Sequence, residues 1–161
     1  MKPWFLIVAA AVVVGPMKLN GQPARELQDF DPLEIEKTFS RYNQGLIEKN
    51  YEEVALYLRT PFVVIDNTPR IITDLSTVVT GLRTNRESLD QRGYGTSVPG
   101  EARISVLNPD RVLLNCVIRH YKKDGSLLEE RANFYLMSRV SGTWKISGIL
   151  QQDPAYAGKS Y

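Results

Sequence analysis

The sequence predicts an α+β domain in which three N-terminal helices cover one face of a curled antiparallel or mixed sheet. Three observations point there. Helical periodicity is confined to residues 31 to 93, whereas almost everything after them has the β-branched, turn-punctuated pattern of strands. Helices followed by a run of hairpin-connected strands segregate into an α+β layer arrangement. Finally, 161 residues with 43% hydrophobic and 24% charged side chains suffice for one core and one domain.

The first stretch, "MKPWFLIVAAAVVVGPMKLNGQPA", stands outside that domain. Lys2 precedes an uninterrupted apolar run from Pro3 to Pro16, with small residues Gly21 and Ala24 downstream, the pattern of a secretory signal. The run is shorter than the roughly 20 residues a membrane-spanning helix needs. We therefore expect a signal over 1–21, cleaved at the latest after 24, in preference to an N-terminal membrane anchor, and hence export to the periplasm or beyond. A polar linker over 22–30, the domain over 31–151 and a tail over 152–161 complete the organisation. Cleavage after Gly21 removes two of the 20 basic residues and none of the 18 acidic ones, leaving the two signs equal. With no basic run longer than Lys122-Lys123, the chain lacks the electrostatic footprint of a nucleic-acid or anionic-membrane binder.

The first helix begins at Asp31 as N-cap and Pro32 at the first helical position, with Glu34 at the capping-box position. Ile35, Phe39, Tyr42 and Leu46 then recur on one helical face. Asn50 caps a second, short helix whose Val54 and Leu58 pack inward while Glu52 and Tyr57 point elsewhere. "PFVVID" is a strand and "PRIIT" its short return across the "DNTP" turn. From Asp74, Leu75, Val78, Val79, Leu82 and Leu89 define a third helix, stopped by "RGYG" with Gly93 in the left-handed cap position. Its Arg83, Arg86 and Arg92 read as a solvated polar face. Four strands follow, "ARISVL", "RVLLNCVIRHY", "SLLEERANFYLMSRV" and "TWKISGILQ", joined by "NPD", "KKDG" and "VSG" turns. Their mixed polarity predicts that both sheet faces are at least partly covered, the outer one, bearing Arg119 and Tyr121, by a second copy of the chain.

This order of elements, with "RYNQGLIEKNYEEVALYL", "PFVVID", "DGSLLEERANFYLMSR" and "GTWKISGIL", resembles the nuclear transport factor 2-like superfamily and its SnoaL-like members over roughly residues 31 to 151. The resemblance implies a small cone-shaped, cystatin-like domain with an apolar cavity, in a superfold that hosts enzymes, carriers and dimerisation modules alike. From Arg41 to Asp66 the chain is also similar, without a gap, to bacterial ketosteroid isomerases. That likeness implies an oxyanion-hole tyrosine at Tyr42 and an aspartate base at Asp66.

Such chemistry needs a carboxylate that shuttles a proton and donors where an enolate oxygen develops. Period two puts Phe62, Val64 and Asp66 on one strand face, and Tyr42 shares its helix face with Phe39, so the two groups can meet in one cavity. The second donor, an aspartic acid in those isomerases, has no counterpart in "ANFYLMSR", where Asn133 or Tyr135 is the only substitute. His120, the single histidine, shares a strand face with Leu114, Cys116 and Ile118. It is either a half-buried strand-end residue or a proton carrier at the pocket rim.

Cys116 in "VLLNCVI" reads as a buried small hydrophobe. Trp144 with Ile146 packs against the helices first and lines the pocket second. The expected site thus comprises Asp66, Tyr42 and His120 as candidate catalytic groups. Phe39, Phe62, Val64, Cys116, Ile118, Tyr135 and Trp144 are the expected ligand contacts. One histidine and one cysteine on one strand do not make a metal site, and no phosphate loop is present, so no cofactor is expected. The incomplete catalytic set favours a domain that binds a small apolar molecule or dimerises without catalysis over an isomerase, dehydratase or hydrolase. In the former case Asp66 is a turn residue that accepts backbone N–H bonds from Asn67, Thr68 or Arg70.

Overall fold

A computed structural model describes residues 31–157. The expected signal over 1–21, the linker over 22–30 and the last four residues of the tail lie outside the described residues.

The chain runs α1 (Pro32–Glu48), α2 (Tyr51–Leu56), β1 (Leu58–Ile65), β2 (Arg70–Ile72), α3 (Leu75–Gln91), β3 (Tyr94–Pro99), β4 (Arg103–Asn108), β5 (Arg111–Lys122), β6 (Leu127–Val140), β7 (Thr143–Gln152) and a closing 3-10 turn (Pro154–Tyr156). Side chains start the helices where the sequence predicts. Asp31 Oδ1 accepts from the Leu33 N–H at 2.9 Å, Asn50 Oδ1 from Glu53 at 3.2 Å, and Asp74 Oδ2 from Thr77 at 2.8 Å. Gly93 ends α3 with φ 87°, a conformation that costs glycine little. Leu58 belongs to β1 and not to the second helix, yet it is buried as expected because the chain enters the sheet directly beneath α2.

Seven strands form one curled, mixed sheet in the order β2-β1-β7-β6-β5-β3, with β4 pairing the first half of β5. The β1–β7 pairing is parallel and the others are antiparallel. Pro61, which has no N–H for a ladder, lies in the irregular stretch of β1 between the Leu58 and Val63 pairings. β3 departs from the sequence reading, which has four strands after the third helix where the chain has five. Its "YGTSVP" carries no apolar run. It pairs with the far end of β5 through backbone bonds, with Ser97 opposite His120 and Val98 opposite Arg119.

β5 alternates between buried residues (Val112, Leu114, Cys116, Ile118, His120) and more accessible ones (Leu113, Asn115, Val117). All of the buried set but His120 meets Ile35, Phe39 and Tyr42 of α1, Val54, Val78, and Tyr135, Met137, Trp144 and Ile146 of the last two strands in one core. No helix of the described residues is long and apolar enough to cross a membrane.

Gly148 marks the tightest contact in the parallel pairing, since a Cβ there would lie 2.8 Å from the Val63 carbonyl oxygen. Gly148→Ala must therefore push β1 from β7, and we expect a loss of about 1.5 kcal/mol in urea unfolding. An unchanged midpoint would mean that the two strands separate without cost.

Candidate functional site

The concave sheet face and helices α1 and α3 enclose a cavity of about 330 Å³. Its apolar wall is laid down by the periodicities of four elements. Leu46 comes from α1, Val78 and Leu82 from α3, Phe62 and Val64 from β1, and Ile149 from β7, where it pairs with Val64. Tyr42 and Tyr135 form the inner wall, with ring centroids 6.1 Å apart in an edge-on arrangement. Burial raises both phenols above their ordinary range, so both remain protonated donors at neutral pH. Tyr135 Oη accepts from Asn133 Nδ2 at 3.4 Å, whereas the Tyr42 hydroxyl makes no hydrogen bond among the described residues.

Asp66 reaches the cavity wall beside Phe62 and Val64, on the side that period two requires. Its carboxylate is already engaged. Oδ1 accepts from the Thr68 N–H at 2.9 Å, and Arg70 Nη1 donates to both oxygens at 2.9 Å. The Thr68 N–H and the Arg70 guanidinium hold its pKa below the usual carboxylate range. The group is ionised at neutral pH and a weak base.

His120 lies on the same wall, 8% exposed. Its Nδ1 is 2.8 Å from Ser97 Oγ, which is in turn 2.6 Å from Tyr94 Oη. Burial, reinforced by Arg131, lowers its pKa to about 4, so the imidazole is neutral at physiological pH. Ile118 also lines the cavity. Phe39, Cys116 and Trp144, expected as ligand contacts, instead stand behind the wall. Phe39 packs edge-on against Tyr135 at 4.8 Å, Cys116 Sγ faces the Gly100 carbonyl at 3.5 Å, and Trp144 is buried beneath Arg139.

The polar part of the wall extends beyond Asn133, the donor the sequence offers. Arg131, Asn133 and Gln151 lie there together with Asn85 of α3. Arg131 Nη1 donates to Asn85 Oδ1 at 2.8 Å and its Nε to Glu129, while Arg92 Nη1 reaches the other Glu129 oxygen at 2.6 Å. Period two from Tyr135 through Asn133 to Arg131 is the signal that would have found this side.

Of the three arginines read as a solvated face, Arg86 requires a correction. Arg86 is not solvated: its side chain is 12% exposed, bonds to the Leu46 and Ile47 carbonyls and to Asp90, and lies 3.9 Å over the Tyr94 ring. Arg83 and Arg92 are exposed as expected, Arg83 stacking on Tyr51 and Arg92 pairing with Glu129. No group of three or more His, Cys, Asp or Glu side chains among the described residues is arranged to hold a metal ion.

Several solved structures share this architecture. A protein with a cystatin-like fold from Nostoc punctiforme PCC 73102 matches with a TM-score of 0.63 and 16% identity, over 78% of this chain and 92% of its own. An NTF2-like protein with a cystatin-like fold from Novosphingobium aromaticivorans matches with a TM-score of 0.62 and 15% identity, over 78% and 81%. A hexachlorocyclohexane dehydrochlorinase (LinA) type 2 matches with a TM-score of 0.53 and 13% identity, over 74% and 82%. At these identities the likeness is one of fold. No curated protein matches the chain significantly. The family described as NTF2-like protein (DUF6841) matches residues 33–154, most of the chain, and the protein belongs to that family.

Proposed function

We propose that this domain is an exported binding module that holds a small, mainly apolar molecule in the cavity without transforming it, and that it pairs through the outer sheet face. The observation that carries the reading is the cavity itself. It is a concave, largely apolar space near the lower end of the ~300–1,000 Å³ typical of ligand sites, and its one acidic group is tied to its own turn. Export rests on the N-terminal Lys2-led apolar segment. Pairing rests on the half-exposed apolar residues Leu113, Val117, Phe134 and Leu136, which neighbour one another across β5 and β6.

A proton-transfer enzyme is the second reading, favoured by the unengaged Tyr42 hydroxyl on the same cavity wall as Asp66, and by a fold shared with a dehydrochlorinase. Against it stand the depressed basicity of Asp66 and the absence of a carboxyl group among the Asn133 and Tyr135 positions that would supply the second donor.

Native mass spectrometry of protein purified from its own cell envelope tests the proposal. We expect a dimer mass with a retained small molecule, whose mass stays constant on incubation with the protein. A ligand converted by the wild type but not by Asp66→Asn would replace the binding reading with the enzymatic one. A monomer with an empty cavity would remove both binding and pairing.

A further inference from the structure

Resting on that binding reading, we propose that the ligand is an amphipathic monocarboxylate whose anionic end is held by Arg131, with its apolar body along Phe62, Val64 and Leu82. The charge around the cavity is unbalanced at Arg131. The wall contains Arg70, Arg86 and Arg131 against a single carboxylate, Asp66. Arg70 is matched by Asp66, and Arg86 is taken up by Asp90 and two carbonyls. Arg131 has only Glu129, whose other oxygen belongs to Arg92, so two guanidinium groups share one carboxylate. His120 beside them is neutral and adds no compensating charge of either sign.

Arg131 also has donors to offer. A guanidinium carries five N–H groups. The bonds from Nε to Glu129 and from Nη1 to Asn85 leave Nη2 without a partner among the described residues. Further amide donors flank it on the same wall: Asn133, two residues along β6, and Gln151, directly across from Asn133 on β7 and free of side-chain hydrogen bonds among the described residues. A carboxylate there gains charge-assisted hydrogen bonds from a side chain that Asn85 and Glu129 already hold in place. An alcohol gains less, and a cation is repelled.

The test uses the full mature chain, stripped of ligand, and titration calorimetry with decanoate, decanol and decylamine. We expect decanoate to bind at least about ten-fold more tightly than decanol, equivalent to about 1.4 kcal/mol, and decylamine to bind most weakly. The preference should shrink between about 0.05 M and about 0.5 M salt, a measurement on the wild type alone. In Arg131→Met the ratio should fall to about one, and Arg131→Lys should restore part of it. Equal binding of decanoate and decanol, or a preference that survives in Arg131→Met, overturns the carboxylate assignment and leaves apolar binding standing. Binding of none of the three probes overturns both readings.

Discussion

Replacing Arg86 with methionine is expected to destabilise the domain by about 3 kcal/mol, although the substitution preserves most of the buried aliphatic volume. α1 has no basic residue in its last turn to meet its terminal carbonyls. Arg86 supplies that function from another helix, bonding to the Leu46 oxygen at 2.8 Å and the Ile47 oxygen at 3.2 Å, where the helix end carries partial negative charge. The same guanidinium covers the Tyr94 ring and bonds to Asp90, so one side chain joins α1, α3 and β3. Asp90 keeps Lys49 at 2.8 Å after the substitution, so most of the loss comes from the two carbonyls and the ring contact. Arg86→Lys retains the charge but not the planar fork and should recover less than half of the loss. Urea unfolding of the three proteins decides the matter. A loss below about 1 kcal/mol in Arg86→Met would mean that water satisfies α1's end equally well.

Arg86 also illustrates how far the sequence could be read. Val79, Leu82, Arg86 and Leu89 follow one another at spacings of three, four and three, so the arginine falls on the apolar stripe of α3. Classing it by charge alone put it on the solvent side. Periodicity was reliable where a residue's type agreed with its position: the faces of α1 and β5 and the inward turn of Asp66 all followed from spacing. β3 was illegible for a different reason. Its pairing with β5 comes from backbone groups and from where α3 delivers the chain, and "YGTSVP" has no side-chain pattern to announce it. With β3 missing, the Tyr94–Ser97–His120 chain was missing too. Asp66 accepts the Thr68 N–H as a turn residue should, whereas the Arg70 side chain folding back across four residues is permitted but not required by local spacing. Phe39, Cys116 and Trp144 are buried as their spacing implies, but as ligand contacts they fail, because they stand one layer behind the cavity wall. Separating the wall from the layer behind it needs the curvature of the sheet, which no single strand encodes.

The same chain of contacts predicts that stability falls as the pH drops from about 6.5 toward about 4. His120 is buried, with a folded-state pKa of about 4. In the unfolded chain an imidazole titrates near 6.5, so between those values the unfolded state binds a proton that the folded state refuses. Stability from this source is fully present above about pH 6.5 and is lost progressively down to about pH 4. The difference corresponds to about 3 kcal/mol, reduced to about 2 by solvent in the cavity. The groups facing the ring are Tyr94 and Ser97 from β3, Glu129 and Arg131 from β6, Arg86 from α3 and Arg92 at its C-cap. Glu129 alone would favour the imidazolium, and burial and the three arginines outweigh it. The carboxylates whose pKa values are lowered, Asp66, Asp74, Asp90, Asp124 and Glu129, lose their contributions as pH falls through their folded-state values. Their losses begin at about pH 5, where the unfolded carboxylates start to bind protons, so His120 stands alone between about pH 6.5 and about 5. His120→Gln removes the titrating group while leaving a polar partner for Ser97. Its urea midpoint should stay nearly flat between about pH 6.5 and about 5, where the wild type declines, and parallel declines in the two proteins over that interval would assign the acid sensitivity to some other group.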